Sequence, residues 1–161
     1  MAVYTGKDGL LQVRAPSGDL TAPTTPATAT GATIGEVMNW RLTINQELLD
    51  QTEFGDEFRN DAGGLKNWNA QIDVNLDPSA TVNQDEILEG MLAADFGGTL
   101  ASSGVIQMDL YVDGEAATTK KVWYGAARVE SVNVSTPVAG LVTASFNLRG
   151  QGVIKYSGAI T

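Results

Sequence analysis

Carboxylates are the reactive side chains that this sequence supplies in quantity. The chain of 161 residues contains 19 Asp and Glu residues but neither His nor Cys. Two carboxylates at a suitable separation could serve as the acid and base of a glycoside hydrolase, and clustered carboxylates could bind Ca²⁺. Without His, the commonest general base and metal ligand is missing. Without Cys, neither disulfides nor thiolate metal sites can form.

The densest run of acids, residues 50–61, does not have the pattern of a metal site. It lacks the D-x-[DN]-x-[DN]-G spacing of an EF-hand loop. The many Ser, Thr and Tyr hydroxyls have no His to activate them, and acids on a solvated sheet face are far commoner than a catalytic pair. The glycines lie at turns and form no phosphate-binding loop. We therefore predict no catalytic residue, no cofactor and no metal, so the chain is not expected to be an enzyme.

The overall charge narrows the range of partners. Ten Lys and Arg residues against 19 acids give a formal net charge of −9, which argues against tight binding to nucleic-acid phosphates. No apolar run approaches the roughly 20 residues of a membrane span, so no membrane anchor is expected. The N-terminal MAVYTGKDG lacks the apolar segment of a signal peptide. These features predict a single domain, residues 1–161, that folds in a cytoplasm.

Two strictly alternating segments organise the chain. Residues 38–44 and 68–76 each alternate apolar and polar side chains, the period of a half-buried strand. Trp68, Ile72 and Val74 are predicted to be buried. The connection between the two strands, about residues 48–64, is much longer than the ~2–5 residues that a hairpin needs. It is either a loop that packs its own aromatic side chains or a docking element for another chain. Its candidate contact residues are Leu48, Leu49, Phe54, Asp56, Phe58 and Arg59.

The remaining segments predict a mainly β fold. Strands are expected at residues 10–14, 105–113, 122–135, 141–149 and 153–156, the last two separated by Gly150-Gln151-Gly152. A slip in apolar parity predicts a β-bulge near Glu130 and Ser131. Asn83 and Glu86 resemble a capping box at the start of one helix, about residues 83–96. Residues 15–33 form a Pro- and Thr-rich loop. The result is an antiparallel β-sandwich or barrel of about seven or eight strands with one flanking helix.

Short groups of residues along most of the chain occur in a characteristic order. They are Tyr4-Thr5-Gly6-Lys7-Asp8-Gly9, Ile34-Gly35-Glu36-Val37 before Trp40 and Leu42, then Leu48-Leu49, Thr52, Phe54-Gly55-Asp56, Gly64-Leu65-Lys66 and Trp68, and finally Tyr124-Gly125-Ala126, Val129 to Val132, Phe146 and Gly150-Gln151-Gly152. This ordered set resembles the major tail tube proteins of long-tailed, siphovirus-type bacteriophages and of gene transfer agents. The loop at residues 15–33 matches no feature of that family.

The resemblance implies a structural virion protein. Its homohexameric rings would stack into the tail tube that conducts DNA from capsid to host, after assembly in the cytoplasm of a bacterial host. The implied partners are further copies of the chain, the tape measure protein and the tail terminator and distal tail proteins, with genomic DNA passing through the lumen without specific binding. The long hairpin loop would make the contacts between rings.

The net charge suggests how such a lumen would treat DNA. An acidic or neutral wall would repel the polyanion weakly and let it slide, whereas a cationic wall would bind it. Acids on the outward-alternating positions of long strands are the candidates for that wall. They are Asp73, Asp77, Asp109 and Glu130. Arg41, Arg128 and Arg149 are expected mainly in pairs between subunits. The alternative is that the acids lie on the outer surface, where they confer solubility.

Two other classes of protein remain open. A monomeric β-sandwich binding or adhesion module should present a cluster of exposed aromatic residues, but Trp40, Trp68 and Trp123 have the pattern of core or interface residues. An acid-pair hydrolase should have a cleft and should lose activity when two carboxylates are replaced.

Overall fold

The computed structural model describes residues 10–14, 23, 32–55, 57–77, 84, 87, 105–112 and 120–160. In this part of the chain, the strands are β1 (Leu10–Arg14), β2 (Ala32–Thr33), β3 (Val37–Asp50), β4 (Asp61–Asn75), β5 (Ile106–Tyr111), β6 (Lys120–Ser135) and β7 (Thr143–Ile160). All neighbours are antiparallel in one sheet of order β2-β1-β5-β6-β7-β4-β3. The predicted mainly β, antiparallel fold is confirmed.

The predicted helix and the Pro- and Thr-rich loop fall largely outside the described residues. Of the helix, only Gln84 and Ile87 are described, and the side chain of Ile87 is buried in the core. Of the loop, only Pro23, Ala32 and Thr33 are described. In the described part of the chain, no helix is long and apolar enough to cross a membrane.

One face of β4 carries the centre of the core. Trp68, Ile72 and Val74 are buried as predicted, because side chains of alternate residues point to the same side of a strand. The Trp68 indole lies over Gly150 and Gly125, where a methyl group added at Gly125 would lie 2.9 Å from Trp68 Cζ2. Its Nε1 donates a hydrogen bond to the Gly152 carbonyl at 3.1 Å. Glycines on β6 and β7 therefore make the space that this indole occupies.

The sheet curls strongly at the end where β3 begins. Ile34 N donates to Leu11 O on β1 at 2.9 Å, and Glu36 O accepts from Asn75 N on β4 at 3.0 Å. In a flat sheet, β1 and β4 would be four strand spacings apart, about 19 Å, whereas two residues of chain span at most about 7 Å. All the described strands thus belong to one curled sheet.

The buried side chain of Gln84 ties this curled end together. Its Nε2 donates to Gly35 O at 3.1 Å and to Asn75 O at 2.8 Å, and its Oε1 accepts from Asp77 N at 3.0 Å. With 1% of its surface exposed, Gln84 is hydrogen-bonded to three backbone groups in partly buried surroundings. Unpaired buried backbone groups are costly, so one amide stabilises the junction of β3 and β4.

Three register shifts interrupt the pairing of β6 with β7. Val129 pairs with Leu148 and Ser131 with Asn147, so Glu130 is the extra residue and the predicted bulge is confirmed. The predicted break at Gly150-Gln151-Gly152 is wrong as a strand end, because β7 continues through it. Instead, the register with β6 shifts there, and Gly152 adopts φ 84°, a conformation suited to glycine. The chain therefore bends without leaving the sheet.

The long hairpin connection is shorter than predicted. The pairs Leu48–Gly63, Leu49–Ala62 and Asp50–Asp61 extend the ladder, which leaves residues 51–60 as the connection. The misjudged boundary coincides with a register shift between Gln46 and Leu48, since a shift interrupts the alternation from which a strand is predicted. In the described strands, β4 pairs with β7 only over residues 69–75. Residues 45–67 consequently form a two-stranded extension, here termed the β-ribbon.

Candidate assembly surfaces

The β-ribbon exposes a group of large apolar side chains. Phe54 is 112% exposed and Phe58 84% exposed. A loop that packed its own aromatic side chains would bury them, and this one does not. Several large apolar side chains exposed on one short element are typical of an interaction site. The exposed apolar members of the β-ribbon are Leu48, Leu49, Phe54, Phe58 and Leu65.

Polar side chains hold the end of the β-ribbon in shape. Thr52 N donates to Asp50 Oδ1 at 2.9 Å, and Asn60 N donates to Thr52 Oγ1 at 3.0 Å. Hydrogen bonds from the Thr52 side chain and backbone lower the pKa of Asp50. Arg59 Nε contacts Asp61 Oδ1 at 2.8 Å and Asp50 Oδ2 at 4.0 Å. Arg59, a predicted contact residue, is thus engaged within its own β-ribbon; Asp56 lies outside the described residues.

A second surface, the polar face, lies on the opposite side of β4 from the core. Cross-strand partners on β3, β4, β7 and β6 share a face of the sheet, and here each row is polar throughout. Its rows are Asn39–Asp73–Ser145–Asn133, Arg41–Gln71–Asn147–Ser131 and Thr43–Asn69–Arg149–Arg128. The sequence indicated the polarity of each strand, but only the register shows that these residues form one surface.

Hydrogen bonds between side chains order part of the polar face. The Asp73 carboxylate accepts from Ser145 Oγ at 2.5 Å, Gln71 Nε2 at 3.2 Å and Asn39 Nδ2 at 3.4 Å. The middle of the face is a depression of about 330 Å³ that is lined by Arg41, Glu130 and the residues between them, most of which are polar. Among the described residues, no group of three or more acids could hold a metal ion. The geometry therefore suits a polar contact surface.

No protein-family model and no curated protein matches the chain. Several solved structures, however, have a similar fold. The tail of a gene transfer agent particle with C6 symmetry aligns with a TM-score of 0.65 at 16% identity, covering 96% of this chain and 99% of that one. The SPP1 tail tube aligns with a TM-score of 0.69 at 17% identity, covering 99% of this chain and 81% of that one. The chain has the tail tube fold. The baseplate of the anti-feeding prophage also aligns, with a TM-score of 0.65 at 11% identity, covering 98% and 97% of the two chains.

Within the residues that the structure describes, the tail tube fold of this chain leaves two sheet edges free beside the polar face. In the described part of the chain, β3 pairs on one side only, with β4. On the other side of the face, β6 pairs with β5 only over residues 122–127, so residues 128–135 have no second neighbour among the described strands. An exposed strand edge is a template for adding another strand. The free edge of β6 could not be recognised from sequence, because it depends on where β5 ends.

The four acids predicted to face a lumen have different surroundings in this tail tube fold. Asp73 lies on the polar face, Glu130 lies on the bulge at its rim, and the half-buried Asp77 follows the end of β4. Asp73 and Glu130 share the face with three arginines, Arg41, Arg128 and Arg149. The face is therefore not predominantly acidic.

The predicted outward orientation of Asp109 is wrong. It has 1% of its surface exposed, because both faces of β5 are covered. Its carboxylate contacts Arg14 Nε at 3.0 Å and accepts hydrogen bonds from Arg14 Nη2 at 3.2 Å and Gln107 Nε2 at 3.4 Å. Burial raises the pKa of Asp109 to about 6, although Arg14 and Gln107 oppose this shift. Asp109 cannot line a lumen.

Proposed function

We propose that this chain is a structural virion protein whose homohexameric rings stack into a tail tube that conducts DNA from capsid to host. The observation that carries this proposal is a polar four-strand face with a free edge on each side among the described strands, in a chain with the tail tube fold. On this proposal the chain is not an enzyme, in keeping with the absence of His and Cys from its sequence. Its place is the virion tail, after assembly in the host cytoplasm.

Edge-to-edge joining explains how a ring would close. Since β3, β4, β7 and β6 alternate in direction, β3 of one copy would lie antiparallel to β6 of the next. Six copies of four strands, the number suggested by the sixfold gene transfer agent tail, give a barrel of 24 strands. At ~4.8 Å per strand its backbone diameter is at least about 37 Å, wider than a DNA double helix. Closure removes both free edges, which otherwise favour aggregation.

The β-ribbon is the proposed contact between stacked rings. Leu48, Leu49, Phe54 and Phe58 expose apolar surface that stacking would bury. Asp56 and Arg59 remain proposed members of that contact. The tape measure, tail terminator and distal tail proteins are the further partners that this role requires, and DNA would pass without specific binding. Asp73, Asp77 and Glu130 are the acids retained as candidates for the lumen.

Electron microscopy of the purified protein tests this function. We expect rings of sixfold symmetry, or tubes, in negative stain at high protein concentration. Particles that remain monomeric at all concentrations and salt conditions would contradict the proposal. They would favour the alternative, a monomeric β-sandwich binding or adhesion module, for which the exposed Phe54 and Phe58 would be the binding residues.

A further inference from the structure

The two free edges of the polar face carry side chains of opposite charge. Arg41 lies on β3 and Glu130 on the bulge of β6, and both are exposed. They line opposite sides of the same depression, about 14 Å apart at three strand spacings. Within the described residues, no salt bridge involves either side chain. Each therefore presents its charge at an edge without a counter-ion from the described part of its own chain.

Both residues lie inside the edge segment to which they belong, each as its third residue. The edge of β3 runs without interruption over residues 39–46, between its two register shifts, and the free edge of β6 covers residues 128–135. Because Arg41 must face the same side as its cross-strand neighbours, two antiparallel registers keep the polar face continuous and pair the whole free edge of β6 with residues of β3. One places Arg41 opposite Asn133 of the adjacent copy, and the other places it opposite Ser131. Glu130, the bulged residue next to Ser131, is then within reach of the long Arg41 side chain.

Other registers of the same junction are less favourable. A shift by one residue would turn the polar face of one copy toward the core side of the next. A shift by two residues would place Arg41 beside either Arg128, a repulsive contact, or Asn133, a neutral one. Only the register centred on Ser131 brings Arg41 to a carboxylate.

We propose that Arg41 of each copy forms an ion pair with Glu130 of the adjacent copy, and that this pair sets the register in which β3 adds to β6 as the ring closes. The partner is a second copy of this chain. This inference rests on the proposed function, because it requires ring closure through these two edges. Sixfold symmetry repeats the pair at each junction, so a small preference at one junction has a large effect on the closed ring.

Charge reversal at each position, alone and together, tests the pair. Arg41→Glu and Glu130→Arg should each raise the protein concentration for half-maximal ring formation, measured by mass photometry, by about tenfold or more. The double variant should return to within about threefold of the original protein, because the charges are again complementary. Arg149→Glu is the matched control: it makes the same charge change on the same face, but on the interior strand β7, and should shift assembly by less than about threefold.

Circular dichroism separates effects on assembly from effects on folding. If either reversal unfolds the monomer, Arg41→Gln, Glu130→Gln and their combination form an equivalent cycle, in which the double variant should be no weaker than either single one. The ion pair would be overturned if either single variant formed rings at the same protein concentration as the original protein. It would also be overturned if the losses of the two single variants simply added in the double variant. Failure of the unmodified protein to form rings would instead overturn the proposed function and this inference with it.

Discussion

Asp109 is a carboxylate that folding removes from water and places beside a single guanidinium. The Arg14 contact at 3.0 Å does not offset the loss of hydration, so the folded chain binds a proton at this site more readily than the unfolded chain does. Its pKa rises from 3.8 to about 6 on folding. The stability that protonation contributes is therefore complete below about pH 4 and is lost as the pH rises through 6.

This difference predicts a measurable pH dependence of folding stability. Between pH 5 and pH 7, titration of Asp109 should lower the free energy of unfolding by about 1 kcal/mol. Asp109→Asn removes the titrating group, so its stability should fall less over the interval. Urea unfolding at the two pH values, at concentrations below assembly, measures both slopes. Parallel slopes would show that Asp109 does not titrate in this range.

Gly150 has a steric rather than a conformational role. A methyl group there would collide with the Trp68 indole, which also donates to Gly152 O. We expect Gly150→Ala to destabilise the domain by about 1–3 kcal/mol through overpacking. Thermal or urea unfolding gives the value, and repeating it in a Trp68→Phe background provides the control. The smaller ring should reduce the penalty; an equal penalty would indicate that backbone conformation is responsible.

The β-ribbon shows which parts of an element can be predicted from sequence. Alternation placed Trp68, Ile72 and Val74 in the core, and the parity slip near Glu130 located a real bulge. Alternation did not predict how far β3 and β4 extend into the β-ribbon, because a register shift between Gln46 and Leu48 interrupts the alternating pattern there.

The alternation of polar and apolar residues also gave the wrong orientation for Asp109 on β5, for a different reason. A pattern of polar side chains reports their chemistry but not what covers them, and Asp109 obtains its partner from Arg14, 95 residues away. The polar face and its free edges likewise could not be predicted from the sequence, because they depend on the register of four strands, some of which are distant along the chain.

Removing the aromatic residues of the β-ribbon should separate stacking from folding. Phe54→Ser with Phe58→Ser should change the free energy of unfolding by no more than about 0.5 kcal/mol, because both side chains are exposed in the monomer. The same variant should form rings but no tubes, which electron microscopy and light scattering would reveal. Glu57→Ser in the same connection is the control and should form tubes. Normal tubes from the double variant would exclude these aromatic residues from the contact between rings.

The whole molecule combines an acidic chain with a polar face that is not acidic. The net charge is −9, yet the face carries Arg41, Arg128 and Arg149 beside Asp73 and Glu130. The hypothesis that the acids at this surface let DNA slide therefore depends on a near balance of charge rather than on an acidic wall. Small changes in that balance should be felt by a polyanion within a Debye length, about 8 Å at physiological salt.

Asp73→Lys tests this balance in assembled tubes. We expect it to strengthen the binding of short duplex DNA by about tenfold at low salt, with the difference shrinking as salt increases. Glu57→Lys, with the same charge change in the exposed connection of the β-ribbon, is the control and should have a smaller effect. Fluorescence anisotropy over a salt series measures both. Equal effects of the two changes would mean that the polar face does not line the path of the DNA.

The pairing of β1 with β5 has a consequence for the order in which a nascent chain can fold. The β3–β4 hairpin needs only a local turn and can form once residue 75 has emerged, whereas β1 must wait for residues 106–111. Contacts across such a sequence separation form slowly, since loop closure precedes any gain from packing. We therefore expect the growing polypeptide to display Phe54, Phe58 and the free edge of β3 before its core exists. Several ribosomes translating one messenger RNA would then bring the exposed β3–β4 hairpins of neighbouring nascent chains close together before any of the chains has folded.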